Sequence, residues 1–301
     1  MGRMMRLATI TAVVSVAAST QARAQGSTDW TAADHALGRA GAAQPGGVHK
    51  YSFPRGDLTV TANGVQLRPA LVLGTWIAFK RTGDGKTMAM GDLVLTGNEV
   101  APVMAKLQQA GVDQTAVHNH LLGETPRILY MHVMAVGDEA KIAQTIHDAL
   151  AATHTPTAPP PKVTALRLAL DTVAFASALG LTGKGNGGVY QISVPRPEAI
   201  REGNEAIPPA MGVATGINVQ PTTNGRAVTT GDFVLLPAEV NPVIRALQSN
   251  GIKVTALHSH LLADQPHVLF MHFWGDDDAL KLARGLRAAL DATAMAPAKS
   301  R

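Results

Sequence analysis

The spacing of apolar residues predicts a strand followed by a helix at two places in the chain. Residues 92–95 form a short apolar run of strand length, and residues 99–110 carry apolar side chains three or four positions apart. Residues 232–236 and 239–250 repeat this pattern. A proline falls in the first turn of each predicted helix, where its missing amide hydrogen is tolerated, and a glycine ends each helix.

The residues that follow predict two more strands and a second helix. Residues 115–122 and 128–136 have strand-like patterns and are separated by a loop with Gly123 and Pro126, and residues 138–151 have helical spacing. The predicted order is therefore strand, helix, strand, strand, helix. Upstream, the Asn63-Gly64 pair is a turn signal typical of a β-hairpin. We predict an α+β fold in which helices cover antiparallel sheets.

The whole pattern occurs twice. A shift of 140 residues aligns residues 91–150 with residues 231–290 without a gap, and about 26 of these 60 positions are identical. The segment THTPTAPPPK at residues 153–162 contains four prolines and predicts an extended linker. We therefore predict two tandem pseudo-symmetric repeats, residues 25–152 and 163–301.

The first 24 residues have the features of a secretory signal peptide: a basic start, an apolar run of about twelve residues, and an Ala-Arg-Ala cleavage site. The run is shorter than the ~20 residues that span a bilayer, so we predict a periplasmic or secreted protein without a membrane span. Three of the 26 basic residues lie in this segment, which leaves 23 basic against 22 acidic residues. This balance argues against nucleic acid as a partner. The absence of cysteine excludes disulfides, thiolate ligands, a catalytic thiol and a lipid anchor on cysteine.

Three histidines in each repeat form the candidate site. His118 and His120 are two positions apart, so both project from one face of a strand. A hairpin centred on Thr125 would pair His118 with His132 and bring three imidazoles together. The predicted metal ligands of the two repeats are His118, His120, His132, His258, His260 and His272.

Three neutral imidazoles suit zinc above all, and copper, iron or nickel as alternatives. Glu99 and Glu239 open the neighbouring helices and are candidates for a fourth ligand or a catalytic general base, although an acidic residue in a first helical turn is also favoured by the helix dipole. The alternative for the histidines is a structural role with hydrogen bonds to the backbone.

Other repeated residues favour ordinary structural roles. Met131 adjoins the third histidine, but neighbours in a strand point to opposite faces, so core packing is favoured over a copper ligand. Arg55 and Arg196 each follow a proline, and an exposed or ion-paired arginine is favoured over an anion-binding role. Asp92 and Asp232 each follow a glycine and are interpreted as turn residues.

The motifs G-D-x-V-L, E-V-x-P-V, T-A-[VL]-H-[NS]-H-L-L and P-x-[IV]-L-[YF]-M-H resemble the repeat of the LppY/LpqO family of exported bacterial proteins. The resemblance covers nearly the whole chain after the signal segment. It implies export and a duplicated domain of unassigned function, and it implies no reaction or substrate. The lipid-anchoring cysteine of the mycobacterial lipoproteins in that family has no counterpart here.

Three functions are consistent with these features. The first is a metal-dependent protein such as a hydrolase, in which a histidine-bound ion activates water and Glu99 or Glu239 moves the proton. The second is a non-enzymatic carrier of a metal or ligand. The third is a cell-envelope-binding module with structural histidines. The partner is an unknown small molecule or envelope component, and the internal pseudo-symmetry favours a monomer.

Overall fold

The computed structural model describes residues 29–158 and 166–295. The predicted signal peptide, residues 1–24, lies outside these ranges, as does the second half of the predicted linker. Among the helices of the two described ranges, none combines the length and the apolar composition that a membrane span requires.

The first repeat contains four helices and nine strands. In chain order they are α1 Thr31–Leu37, β1 Ala42–Gln44, β2 Val48–Pro54, β3 Thr61–Ala62, β4 Val65–Gln66, α2 Pro69–Val72, β5 Gly74–Arg81, β6 Thr87–Thr96, α3 Gly97–Gln109, β7 Asp113–His118, β8 Glu124–Thr125, β9 Ile128–Gly137 and α4 Glu139–Leu150.

The second repeat has the same order, with short 3-10 helices at Pro209–Met211 and Pro237–Glu239. Its elements are α5 Thr172–Leu179, β10 Lys184–Asn186, β11 Val189–Pro195, β12 Arg201–Glu202, β13 Glu205–Ala206, β14 Ala214–Pro221, β15 Arg226–Leu235, α6 Val240–Ser249, β16 Lys253–His258, β17 Asp264–Gln265, β18 Leu269–Asp278 and α7 Ala279–Leu290.

The predicted α+β fold and its repeated order are confirmed. In each repeat six antiparallel strands form one sheet, in the order β1-β2-β5-β6-β9-β7 and β10-β11-β14-β15-β18-β16. Asn63 and Gly64 form the predicted turn between β3 and β4, with positive φ angles of 50° and 82°. The small strands β3, β4 and β8 make a separate three-stranded sheet, as do β12, β13 and β17.

Each large sheet is covered by helices on one face and by the other repeat on its second face. The helix-covered face of the first sheet buries Ile77 and Phe79 in a core with residues of α1, α3 and α4. On the opposite face Ala78 and Met90 share a core with Val234 and Phe270 of the second sheet. The two sheets therefore face one another between outer helical layers, as in an α/β/β/α sandwich.

The small sheet of each repeat reaches across to the large sheet of the other. Leu67 and Leu71 of the first repeat share a core with Val228 and Trp274 of the second, and Ile207 of the second repeat packs with the first. Side-chain amides of the second repeat also donate to backbone carbonyls of the first: Asn218 to Leu71 at 2.9 Å, Gln191 to Ala70 at 2.8 Å and Gln220 to Gln66 at 2.9 Å. The two repeats thus share one interior.

Gly231 lies where β15 approaches β14 most closely. A Cβ atom there would lie 1.9 Å from the carbonyl oxygen of Gly216, an impossible contact with backbone. We expect Gly231→Ala to separate the strands and lower the free energy of unfolding by about 3 kcal/mol or more. Urea denaturation measures this change. Gly74→Ala, in strand β5 with no heavy atom within 4 Å of the added Cβ, is the comparison for a glycine substitution without a clash, and an equal small loss in both variants would contradict the account.

Candidate metal centre

The hairpin that carries the first three histidines has a register two positions away from the predicted one. His118 is paired with Tyr130, and His132 is paired with Ala116, so the predicted His118–His132 pairing is wrong. Thr125 is not the centre of the connection between β7 and β9, because it lies in β8, which pairs with β3 in the small sheet. A β-bulge between Gln114 and Ala116 shifts the register of β7 on β9. A register shift of two residues leaves every side chain on the same face of the sheet. His118 and His132 therefore still share a face, with ring centroids 5.1 Å apart.

All six predicted histidines meet in a single cluster, hereafter the histidine cluster. Its closest ring pairs join one repeat to the other. The ring centroids are 3.8 Å apart for His118 and His258, 3.9 Å for His120 and His272, and 3.6 Å for His132 and His260. Because equivalent residues differ by 140 in number, these pairs follow the pseudo-twofold relation of the repeats. The histidines therefore form one composite site rather than two separate ones.

Two sets within the cluster have ring nitrogens close enough to share an ion. The ligand atoms of each set lie within 4.8 Å of one another; the sets are His118, His258, His260 and His272, and His118, His120 and His132. His118 Nε2 and His260 Nε2 are 3.3 Å apart. Two nitrogens bound to one tetrahedral zinc at about 2.0–2.1 Å would be separated by about the same distance. The arrangement thus fits a bound transition-metal ion.

Burial keeps these imidazoles neutral. It lowers the pKa of His118 to about 3, with His258 as the second cause, and it lowers the pKa of His120, His132 and His260 far below the usual value. The pKa of His272 is lowered in the same way. Neutral imidazole is the form that binds a metal, so the cluster is in its ligating state near neutral pH.

Each of the six rings has one buried nitrogen without a hydrogen-bond partner in the described structure. These atoms are His118 Nδ1, His120 Nε2, His132 Nε2, His258 Nε2, His260 Nδ1 and His272 Nε2. A buried polar atom left unsatisfied costs about 1–3 kcal/mol, so six in one place are unusual in a folded protein. Metal coordination would satisfy such atoms.

Backbone carbonyls orient two of the rings. His272 Nδ1 donates to the Gly231 carbonyl at 3.2 Å, and His258 Nδ1 donates to the Ser259 carbonyl at 3.2 Å. Because a carbonyl only accepts, each ring carries its proton on Nδ1 and presents the lone pair of Nε2. Both Nε2 atoms are among the buried nitrogens without a partner.

Aromatic stacking and a cross-repeat hydrogen bond hold the His-x-His segments. His120 lies 3.4 Å from the Tyr130 ring centroid in parallel planes, and His260 lies 3.7 Å from Phe270 in the equivalent position. The Thr255 hydroxyl of the second repeat donates to the His120 carbonyl at 2.6 Å. The rings are thereby fixed before any ion binds.

Asp92 is the carboxylate beside the cluster. Its Oδ2 is 3.8 Å from His120 Nε2 and 3.7 Å from His132 Nε2. The interpretation of Asp92 as a turn residue is wrong, because it lies within strand β6 opposite His132. The preceding glycine allows β6 to lie close to β5, because a Cβ on Gly91 would lie 2.6 Å from the Trp76 carbonyl oxygen. The feature of the sequence that could have identified Asp92 is the Gly-Asp pair that both repeats carry inside an apolar run.

Asp232 is the equivalent carboxylate of the second repeat, and it lies in β15 opposite His272 rather than in the predicted turn. Burial raises the pKa of Asp232 to about 7. Burial and repulsion by Asp232 raise the pKa of Asp92 to about 8, and the Lys50 ammonium opposes both shifts. Asp92 and Asp232 are thus the strand partners of His132 and His272, and the Lys50 ammonium acts on both carboxyl groups.

The structure places Glu99 and Glu239 in ion pairs at the starts of helices. Arg55 Nη1 and Nη2 donate to the two carboxylate oxygens of Glu99 at 2.9 and 3.1 Å, and Arg196 binds Glu239 at 2.7 and 3.2 Å. Burial alone would raise the pKa of Glu99, but Arg55 and two backbone amides hold it at about 2. Neither glutamate belongs to the sets of closely spaced histidine ligands. Arg55 and Arg196 thus have the ion-pair role rather than an anion-binding one.

Arg55→Ala is expected to destabilise the protein by about 3–5 kcal/mol, because it leaves the Glu99 carboxylate buried without its partner. The matched variant Arg196→Ala is expected to lose less, since the Glu239 side chain is 12% exposed against 7% for Glu99. Guanidinium denaturation measures both. A loss below about 1 kcal/mol for Arg55→Ala would contradict the structural role.

The two methionines that adjoin the third histidines lie in the cores beneath the helices. Met131 packs with Leu93 and Val103, and Met271 packs with Phe233 and Val243. Both side chains are fully buried on the sheet face opposite the histidines. Core packing is therefore their role, as the strand alternation predicted.

Comparison with known families finds one domain matched twice. The family described as Domain of Unknown Function (DUF1259) matches residues 31–152 and again residues 173–292, which confirms a duplicated domain of uncharacterised function. The LppY/LpqO name stays a prediction. A comparison with curated proteins finds no match. Among solved structures, a trimeric bacterial microcompartment shell protein, PduB, is similar over 84% of this chain and 90% of its own, at 15% identity and a TM-score of 0.23, which is too low to bear on fold or function.

Proposed function

The chain belongs to the family of the Domain of Unknown Function (DUF1259), and we propose that its two copies together bind a transition-metal ion in the histidine cluster. The observation that carries the proposal is the set of six buried ring nitrogens without hydrogen-bond partners, one on each histidine. Coordination by a metal is the interaction that would satisfy several converging imidazole lone pairs at once.

Zinc is the ion that we propose first. Imidazole nitrogen is a ligand of zinc, copper, iron and nickel, whereas magnesium and calcium prefer oxygen. A tetrahedral zinc tolerates four nitrogen ligands, and the set of His118, His258, His260 and His272 offers four.

A purely structural role for the histidines is less consistent with their hydrogen bonds. Structural histidines in a hairpin would donate to and accept from the backbone. Among the six rings, two donate to a backbone carbonyl, His118 and His260 share a hydrogen bond between their Nε2 atoms, and all six keep one nitrogen without a partner. A structural role would leave these buried atoms unsatisfied at a cost of about 1–3 kcal/mol each.

A metal-dependent hydrolase is a second use of the same site. Asp92 lies within 4 Å of two of the imidazoles. It is a better placed candidate for a general base than Glu99 or Glu239, because each glutamate is bound in an ion pair with an arginine. We propose metal binding as the primary function, since ring nitrogens of both repeats converge within 4.8 Å of one another.

The setting of this function follows from the sequence. We propose a periplasmic or secreted protein on the features of residues 1–24, and a monomer because the pseudo-twofold contact lies within one chain. The partner that we propose is a small molecule or a component of the cell envelope.

Elemental analysis of the untagged protein tests the proposal. After reconstitution with zinc, copper, nickel or iron and removal of excess metal, we expect about one ion per chain or more. His147, which is exposed on α4 outside the cluster, supplies the control variant His147→Ala with unchanged metal content. Less than about 0.1 ion per chain with all four metals would overturn the proposal.

A further inference from the structure

We propose that the histidine cluster holds two ions and that the His118 ring ligates both of them. This inference rests on the proposed metal-binding function and specifies its stoichiometry and its ligands. The first ion is bound by His118 together with His258, His260 and His272. The second is bound by His118 together with His120, His132 and Asp92.

The position of His118 carries the inference. His118 is the one residue that belongs to both sets of closely spaced ligand atoms in the described structure. Its ring centroid is almost equally far from four other rings: 5.0 Å from His120, 5.1 Å from His132, 5.0 Å from His260 and 5.2 Å from His272. The ring therefore lies between the two sets rather than in one of them.

The two nitrogens of His118 have different surroundings. Nε2 lies 3.3 Å from His260 Nε2, which assigns it to the four-histidine set. Nδ1 is buried and has no hydrogen-bond partner, so it is available to the other set. An imidazole bound through both nitrogens separates two ions by on the order of 6 Å, as metal–nitrogen bonds of 2.0–2.1 Å on opposite edges of the ring require.

His258, the pseudo-symmetric equivalent of His118, cannot play this part. Its Nδ1 donates to the Ser259 carbonyl, which leaves only Nε2 for an ion. His118 has no such backbone partner on Nδ1. The two repeats are therefore unequal at this position, although both retain the histidine.

We assign Asp92 to the second ion because it adjoins two members of that set, His120 and His132, although it is not in the group whose ligand atoms all lie within 4.8 Å of one another. Its Oδ2 lies within 3.8 Å of the Nε2 atoms of His120 and His132, and both of these nitrogens lack hydrogen-bond partners. Its Oδ1 is also buried without a partner. Three imidazole nitrogens and one carboxylate oxygen form a four-ligand set of the kind that zinc or copper accepts.

Binding of the second ion releases one proton from His118 and, because burial keeps the Asp92 carboxyl protonated near neutral pH, one more from Asp92 to solvent. A neutral imidazole has one N–H bond and one lone pair; when the second metal–nitrogen bond forms, the N–H bond breaks and the proton passes to solvent. The bridging ring then carries one negative charge. With the Asp92 carboxylate it offsets two of the four positive charges of two divalent ions.

Copper(II) is the probe that tests this inference, because two copper(II) ions joined by one imidazolate have coupled electron spins. The full untagged chain is loaded with copper(II), its stoichiometry is measured by native mass spectrometry, and its unpaired spins are counted by electron paramagnetic resonance. We expect two copper ions per chain and a low-temperature spin count of less than about a tenth of the bound copper. His118→Ala at saturating copper is expected to give one spin per bound ion, whereas the control variant His147→Ala, on α4 outside both ligand sets, is expected to keep the coupled pair.

The outcomes separate this inference from the function on which it rests. One copper per chain at saturation, or two ions with a full spin count in the wild-type chain, would overturn the shared ligand while metal binding stands. No bound copper, nickel, iron or zinc would overturn both. Asp92→Asn, which preserves the shape of the side chain, is expected to lower the affinity for the second ion about 10–100-fold and to leave the affinity for the first ion unchanged. If this variant and the wild-type chain bind the second ion with equal affinity, Asp92 is not one of its ligands.

Discussion

His118→Ala is expected to remove most of the stabilisation that zinc gives to the wild-type protein. At a free zinc concentration 1,000 times the Kd, binding stabilises the native wild-type protein by about 4 kcal/mol. This corresponds to a rise in Tm of about 6–8 °C for a chain of this size. Because His118 belongs to both ligand sets, its loss weakens the binding of every ion in the cluster. An affinity reduced about 100-fold leaves about 1.4 kcal/mol at the same zinc concentration.

Differential scanning calorimetry with and without zinc measures this effect. The metal-free variant is compared with the metal-free wild type, so that any change in packing is separated from the loss of a ligand. His147→Ala, at an exposed position of α4, is expected to keep the full rise in Tm. An equal zinc-dependent rise in His118→Ala and in the wild-type protein would show that zinc binds elsewhere.

The metal-free protein is expected to unfold in mild acid. Burial lowers the pKa of the six clustered histidines in the folded state, so below their ordinary value of about 6.5 the unfolded chain binds more protons. Stability is therefore present above this value and falls as the pH decreases toward the folded pKa of His118, about 3.

Asp92 and Asp232 act in the opposite direction. Burial raises their pKa to about 8 and about 7, so near pH 5 the folded protein holds protons on them that the unfolded chain has released. Unfolding takes up at most six protons on the histidines and releases two from the aspartates, so the net uptake is at most about four protons, or up to about 5 kcal/mol per pH unit. A domain of ordinary stability, 5–15 kcal/mol, would unfold between about pH 6 and pH 4.

Circular dichroism during an acid titration of the metal-free protein checks this result. His260→Phe removes one of the titrating groups and keeps an aromatic ring stacked on Phe270. We expect this variant to lose stability with a slope smaller by about 1.4 kcal/mol per pH unit. A metal-free wild-type protein that keeps its native signal and its urea midpoint from pH 7 to pH 4 would contradict the account.

The sequence predicted the architecture of each repeat because that architecture is locally encoded. Helical spacing at 99–110 predicted α3, the Asn63-Gly64 pair predicted the turn between β3 and β4, and the duplication showed that both halves follow one plan. The face that His118 and His132 share was also predicted, since side-chain parity survives a register shift of two.

The composite nature of the site could not be predicted from the sequence. It depends on how the two sheets face one another, and that arrangement is set by long-range packing such as Ala78 and Met90 against Val234 and Phe270. The hairpin register depends on pairing between β8 and β3, residues about 60 positions apart. Neither contact leaves a periodic signal in the sequence around the histidines.

The role of the carboxylates was misread for a physical reason. Glu99 begins a helix next to the histidine strand, which suggested a ligand, but a buried arginine 44 positions upstream in sequence binds its carboxylate. Asp92 follows a glycine, which suggested a turn, but the glycine is required by the close approach of two strands. In both cases the deciding partner is distant along the chain.

Anomalous diffraction from crystals of the zinc-loaded protein tests most directly whether both repeats bind a common ion. Data collected on both sides of the zinc absorption edge identify the position of zinc without regard to any assumed ligand. The account predicts a peak within about 2.0–2.1 Å of ring nitrogens of both His118 and His260, which belong to different repeats. A zinc peak with ligands from one repeat only, or a peak away from all six histidines, would contradict it.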